Sequence, residues 1–441
     1  MNRLLWTLAL GVFAGALDLG VLSPALPALG REFSVATGNL AWVFTLYLLV
    51  TVLSIALAST AADRYGRRPV YVACLVLFAV GSIVAITAPN YGVFLLARAI
   101  QALGAGGIFP VATATIGDVV PVARRGAALG IVAATWGVAA VIGPLLGGLI
   151  THFISWRWIF AANVPLAAIV LAMALVDVPA QAPRRRPPLD VLGLALLCAG
   201  LLGVTDGLIA SRLLIGLLGV GILVGFVLWE SDARAPIVPL DLLRSRQLAK
   251  TYALEILIGI LEGSLFFIPT VLVGALGLSY FAAGAVAALG ALTFVAVIPL
   301  SATALDRKGS RDVLLVGTVL TEVGLAIFAL GFGSLWLTLL AMIVAGAGFG
   351  ALLGAPTRYI VTNETPQRAR ATAVGFLSQA LIVGQILGSS LAGFFFAAQT
   401  DVLGYRNAYL AFCAVAFVAL ALASTLKSQR DERTHPVEEA A

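Results

Sequence analysis

Apolar runs long enough to cross a bilayer recur along the whole chain, and no other feature restricts its fold so strongly. A hydrocarbon core about 30 Å thick takes about 20 residues of helix. Runs of that length fall at 4–29, 38–61, 70–88, 92–115, 127–151 and 158–177. Two more lie at 190–209 and 213–229, and six follow at 251–274, 280–304, 313–332, 335–357, 371–397 and 408–426. The chain is 61% hydrophobic and 11% charged, whereas a soluble domain carries about a quarter charged residues. One core cannot hide that much apolar side chain, so the lipid bilayer is its solvent. The expected fold is all-α and polytopic, with 14 transmembrane helices. The first run follows Arg3 as a signal peptide would, but it continues to Leu29 without a clean cleavage pattern and reads as a span.

Charge orients these spans. With the N-terminus inside, 22 of the 27 Lys and Arg fall on the inner side, including Arg64, Arg67, Arg68, Arg184, Arg185, Arg186, Arg307 and Lys308. Only Arg31, Arg157, Arg212 and Arg406 fall outside, and Arg98 lies within a span. This bias follows the positive-inside rule and requires an even number of spans. Both termini are expected in the cytoplasm and the protein in the plasma (inner) membrane. The net charge of +6 reflects these loops, and no nucleic-acid partner is implied.

The chain also repeats itself. Asp63-Arg64-Tyr65-Gly66-Arg67-Arg68 follows the second span, and Asp306-Arg307-Lys308-Gly309-Ser310-Arg311 follows the second span of the last six. Parallel repeats of six helices are a transporter architecture. The expected organisation is an N-terminal six-helix bundle over 1–178, linkers and an inserted two-helix hairpin over 179–250, a C-terminal bundle over 251–427 and a tail over 428–441.

These residues carry a resemblance to a known family. The Asp63–Arg68 loop matches the motif that the major facilitator superfamily places between its second and third helices. Arg98-Ala-Ile-Gln101-Ala-Leu-Gly104 resembles its fourth-helix motif, and Gly143-Pro144-Leu-Leu-Gly147-Gly148 its antiporter-associated fifth-helix motif. Trp156-Arg157-Trp158-Ile-Phe160, Asn163-Val-Pro165 and the segment from Glu230 to Arg246 follow in the same order. The chain most resembles the fourteen-helix drug:proton antiporter branch. It departs from it in the first helix, where Leu19-Gly20-Val21 after Asp18 replaces the usual polar residues. The resemblance implies alternating-access efflux of a lipophilic or cationic small molecule in exchange for protons, by a monomer. Export of a lipid or amphipathic metabolite, or uptake by symport, are the other transport readings.

Charged groups within spans are costly in hydrocarbon and therefore point to function. Asp18 lies about 14 residues into the first helix and Arg98 about 6 into the fourth, which enters from the opposite side. At 1.5 Å per residue both reach similar depth, and a carboxylate paired there with an arginine is expected to couple proton uptake to movement. A static pair joining the two helices is the structural alternative. Glu262 lies near mid-membrane, with Glu255 seven residues earlier on the same face. Glu262, Glu255, Gln101 and Phe266 are expected to line a substrate cavity. Asp206 reads as a solvated helix end beside Arg212, and Glu322 as peripheral. Asp63, Arg64, Gly66 and Arg67 are expected to form a cytoplasmic latch with Asp118. In the second repeat Asp306 and Arg307 form a weaker copy, its loop paired to Glu364. Gly143, Pro144, Gly147 and Gly148 are expected to form a hinge at the outer gate, since small residues permit close helix approach and proline removes a backbone bond.

Enzyme readings find no support. The two histidines, His152 and His435, and three separated cysteines, Cys74, Cys198 and Cys413, do not make a metal or disulfide framework. The chain has no His-Glu-x-x-His, Gly-x-Ser-x-Gly or phosphate-loop motif. No cofactor is implied, and an ion gradient is the expected energy source.

Overall fold

Apolar side chains drive these segments into lipid, where each must satisfy its own backbone bonds, and the only open-ended solution is a helix. The computed structural model describes residues 2–180, 190–233, 237–238, 240–399 and 402–428, with 122, 123, 368 and 371 described by backbone only. Arg184 to Arg186, Arg234 and the tail beyond 428 lie outside the described residues. All regular structure among the described residues is helical.

Among the described residues, fourteen helices are long and apolar enough to span a membrane. The first six are α1 (Asn2–Phe33), α2 (Thr37–Tyr65), α3 (Arg67–Ile86), α4 (Tyr91–Val119), α5 (Arg124–Phe153) and α6 (Arg157–Asp177). A hairpin follows, α7 (Val191–Ile209) and α8 (Leu213–Asp232). The last six are α9 (Arg246–Leu276), α10 (Tyr280–Lys308), α11 (Ser310–Leu330), α12 (Leu335–Asn363), α13 (Thr372–Ala398) and α14 (Val402–Ser424). The main differences from the sequence boundaries are at polar ends. α12 runs on to Asn363 through Arg358, because helical backbone bonds persist past the point where hydropathy falls.

Three spans are broken. α1 interrupts its α-helix with a tight turn at Ser23–Ala25, α9 breaks between Leu265 and Ile268, and α12 breaks between Leu352 and Pro356. Each break holds or adjoins a proline, Pro24, Pro269 or Pro356, whose missing N–H cannot close the helical ladder. Non-helical backbone at such points is tolerated in a membrane only where protein or a cavity covers it.

The chain divides into two compact units. The first holds Met1–Ala36, Trp42–Leu194 and Leu278–Ala288; the second holds Thr37–Ala41, Ala195–Gly277 and Leu289–Ala441. Most of the hairpin thus groups with the second unit, and the start of α10 with the first.

Each unit repeats the same local devices. Gly66 precedes α3 with φ 98° and ψ 159°, and Gly309 precedes α11 with φ 83° and ψ 171°. That region of backbone space is essentially glycine's alone, so both sharp turns need this residue. In the first unit α1 and α5 touch through glycine: a Cβ on Gly143 would lie 3.0 Å from the Cα of Gly20, and one on Gly147 would lie 1.9 Å from the Val21 carbonyl oxygen. In the second unit α9 and α13 meet in the same way. A Cβ on Gly384 would lie 2.2 Å from the Ile256 oxygen, and one on Gly388 would lie 2.1 Å from that of Ile260. In lipid such approach replaces the hydrophobic effect as the source of helix association.

Candidate functional site: a buried carboxylate and its donors

Asp18 sits six residues before Pro24 in the broken first helix. Its side chain and that of Arg98 are both 0% exposed, and Arg98 Nη1 lies 2.5 Å from Asp18 Oδ2. The other carboxylate oxygen accepts from two amides, Gln101 Nε2 and Asn163 Nδ2, each at 2.8 Å. Gln101 also accepts from Arg98 Nη1 at 2.5 Å and donates to Ser82 Oγ at 3.0 Å. The Arg98 guanidinium stacks 4.1 Å from the centre of the buried Tyr47 ring. Arg98 Nε and Nη2 and the Tyr47 hydroxyl have no partner in the structure. The matching depth expected of Asp18 and Arg98 is therefore a direct contact, with α1, α4 and α6 meeting at one carboxylate.

The local reasons are plain. Gln101 lies three residues after Arg98, so both project from one face of α4. Gly81 on α3 packs against the Gln101 backbone, where a Cβ would lie 2.5 Å from the amide nitrogen. That close approach holds the α4 turn in place. Gln101, expected to line a substrate cavity, is instead fully buried and has its amide committed to Asp18, Arg98 and Ser82. Asn163 was read only as part of a motif. A signal was available: it lies six residues from the start of α6, as Arg98 lies seven from the start of α4, and both therefore sit about 10 Å in from the same side.

The cytoplasmic-type loop of the first unit is also assembled. Arg67 bridges two acids, Asp63 Oδ1 at 2.7 Å and Asp118 Oδ2 at 3.1 Å. Arg68 donates to the Leu175 carbonyl, while Arg64 lies over the ring of Tyr65. The second repeat differs. Asp306 and Arg307 are exposed, and Glu364 pairs with Lys427 at 2.5 Å, not with the Asp306–Arg311 loop. The end of α14 brings Lys427 to it: the Lys427 backbone N–H donates to Gln247, and Lys250 donates to the Thr425 carbonyl.

In the second unit Glu262 accepts from Gln385 Nε2 at 2.9 Å, four residues before the α9 break at Phe266. Phe266 is half-buried. Glu255, expected with them at a cavity, is only 6% exposed. Asp206 pairs with Arg212 at 3.4 Å near the helix end. Gly143 and Gly147 face α1 as described, and Pro144 lies within the continuous helix α5. A Cβ on Gly148 would lie 2.5 Å from the Tyr280 carbonyl oxygen of the same unit.

A third polar cluster had no counterpart in the sequence reading. Glu32 accepts from the Trp156 indole at 2.5 Å and pairs with Arg157. Arg157 also donates to the carbonyls of Ile86 at 3.1 Å and Ala88 at 3.2 Å. It ties the end of α1 to the α3–α4 turn and the start of α6.

Comparison with known proteins agrees with this architecture. The family model described as Major Facilitator Superfamily matches residues 8–261 and 251–441. The MFS-type transporter YfiU of Bacillus subtilis (strain 168), itself uncharacterised, is 31% identical over 420 residues, covering 90% of this chain and 81% of that protein. The uncharacterised transporter Rv1877 of Mycobacterium tuberculosis (strain ATCC 25618 / H37Rv) is also 31% identical over 90% of this chain, which spans only 59% of its length. The tetracenomycin C resistance and export protein of Streptomyces glaucescens is 29% identical, over 90% of this chain and 76% of that protein. The crystal structure of a D-xylose-proton symporter superposes with a TM-score of 0.75 at 16% identity, over 98% of this chain and 99% of that one, a likeness of fold alone. The chain, a multi-pass membrane transporter, belongs to the major facilitator superfamily.

Proposed function

We propose that this protein is a proton-coupled exporter of lipophilic or cationic small molecules, working by alternating access in the cell membrane with both termini in the cytoplasm. The observation that carries this reading is Asp18, a fully buried carboxylate held by donors from two other helices beside a break in its own. Proton uptake by Asp18 dissolves its ion pair and leaves Arg98 uncompensated in a dry site. The charged and neutral forms therefore favour different packings of α1, α4 and α6, which is the link an antiporter needs between proton and conformation. The export named for the tetracenomycin C relative supports the direction, and the inner bias of Lys and Arg supports the orientation. In this reading Glu262 and Phe266 contact substrate, the carboxylate favouring cations.

Purified protein in liposomes with an acidic interior tests this. Ethidium and other cations should accumulate inside as protons leave, and more weakly so should neutral lipophilic compounds. Glu262→Gln should weaken the cations by roughly tenfold, the worth of one charged hydrogen bond, and the neutral compounds much less. No pH-driven uptake of any panel member would overturn the coupling. Equal loss for both classes would remove Glu262 from the cavity.

Arg67 is read as a latch that stabilises one state of the cycle. It is 13% exposed and Asp118 16%, so solvent screens this pair less than an open surface pair. Arg67→Gln should change the balance of the two states by roughly fivefold or more, with substrate affinity in either state unchanged. Single-molecule distance measurements across the transporter report that balance. An unaltered balance and rate would leave Arg67 only the role of orienting the chain in the membrane.

A further inference from the structure

We propose that Glu255 is a second proton-binding site of the transport cycle, housed at the break in α12. The inference rests on the proton-coupled reading above but on different residues. Glu255 projects from α9, 6% exposed, toward the point where α12 stops at Leu352 and restarts at Pro356. Thr357, the second residue of the restarted helix and itself 3% exposed, supplies the neighbouring hydroxyl that acts on its carboxyl. Glu255 Oε2 has no hydrogen-bond partner. The restarted helix has no side-chain cap, since Ala355 occupies that position, and its first N–H groups carry a positive end of the helix dipole. A carboxyl group aimed at such an end, with one oxygen free, has a place for its charge and a lone pair for a proton.

The charged surroundings are sparse. Arg358 on α12 and Glu262, two turns along α9, are the charged groups acting on Glu255. α13 contributes no charged side chain at this depth, only Gln385, which is committed to Glu262. α14 contributes the neutral Tyr409, bonded to the Ser264 carbonyl, and Cys413. The short helix Leu240–Leu243 carries Asp241, exposed and paired with Arg244. Glu364 and Lys427 hold each other near the inner ends. No full counter-ion is bonded to Glu255, unlike Asp18.

The ligand is a proton rather than a metal ion. No cluster of three or more His, Cys, Asp or Glu side chains stands anywhere among the described residues, whereas one lone pair suffices for a proton. In the step itself, a hydronium ion from the water-filled side donates to Oε2, forming one O–H bond and releasing water; the reverse step returns the proton to water on the other side. Access would change because α9 is itself broken at Phe266 and meets α13 largely through small residues, Gly259 and Gly263 on one helix and Gly384 and Gly388 on the other. With Asp18 in the first unit and Glu255 in the second, the cycle would carry two protons for each substrate.

Infrared difference spectra of the full-length protein in nanodiscs, titrated with pH in sodium-free and sodium-containing buffer, test the site without any substrate. The wild type should show a carboxylic C=O band that titrates, is absent from Glu255→Gln and persists in Asp18→Asn. Thr357→Val, which removes only the hydroxyl, should move that band, so the proposal stays testable if Glu255→Gln fails to fold. In liposomes Glu255→Gln should lower the proton-to-substrate ratio from two to one, read from the reversal potential. Identical spectra for wild type and Glu255→Gln, or a band unmoved in Thr357→Val, would overturn the proposal. A band bleached by sodium at fixed pH would reassign the site to that ion. Failure of the Asp18 reading would leave the Glu255 band in place, so the two outcomes are distinguishable.

Discussion

Asp18→Asn should reduce pH-driven accumulation to the level of empty liposomes while leaving energy-independent substrate exchange intact. Asparagine keeps an oxygen where Gln101 and Asn163 now donate, so the local shape survives. It cannot carry the charge that faces Arg98 Nη1 across 2.5 Å, nor can it take up and release a proton. The price is stability, because removing one partner of a buried pair costs about 3–5 kcal/mol. The variant should therefore melt at a lower temperature yet fold. Asp18→Glu, which keeps the titrating group, should retain part of the driven transport. Undiminished pH-driven transport in Asp18→Asn would refute the coupling role. If both variants failed to fold, the pair would instead be a structural tie between α1 and α4.

Gly147→Ala should abolish transport through a single methyl group. Its Cβ would stand 1.9 Å from the Val21 oxygen and 2.7 Å from the Val21 carbonyl carbon. Those atoms are backbone, so no rotamer change relieves the clash and α5 must move away from α1. Overpacking of this kind costs about 1–3 kcal/mol, and here it falls next to the break at Ser23–Ala25 and three residues from Asp18. Gly130→Ala, on the same helix but with no atom within 4 Å of its added Cβ, is the control and should leave transport and melting temperature unchanged or slightly raised, since alanine favours helix by about 1 kcal/mol. Thermal unfolding followed with transport assays separates the two. Full transport by Gly147→Ala would show that α1 and α5 can part without consequence and would remove the glycine face from the mechanism.

Much of the fold was legible because it depends on quantities that run along the chain. Bilayer thickness and the rise of a helix set how many spans 441 residues make, and the sidedness of arginine and lysine sets how they are threaded. Depth is equally one-dimensional, which is why Asp18 and Arg98 could be placed together before any contact was known. The two glycine turns at Gly66 and Gly309 were visible as repeated motifs for the same reason.

Azimuth is not one-dimensional, and there the sequence was silent. Which face of α6 meets α1 determines that Asn163 rather than another residue serves Asp18. The ending of α14, not the repeat of the Asp306 loop, determines that Glu364 holds Lys427. Gln101 could equally have faced a cavity until the close approach of Gly81 turned it inward. Chain periodicity and hydropathy together determined the number, length, depth and direction of the helices. Only tertiary packing, through backbone contacts that glycine alone permits, decided which buried polar groups would share a site.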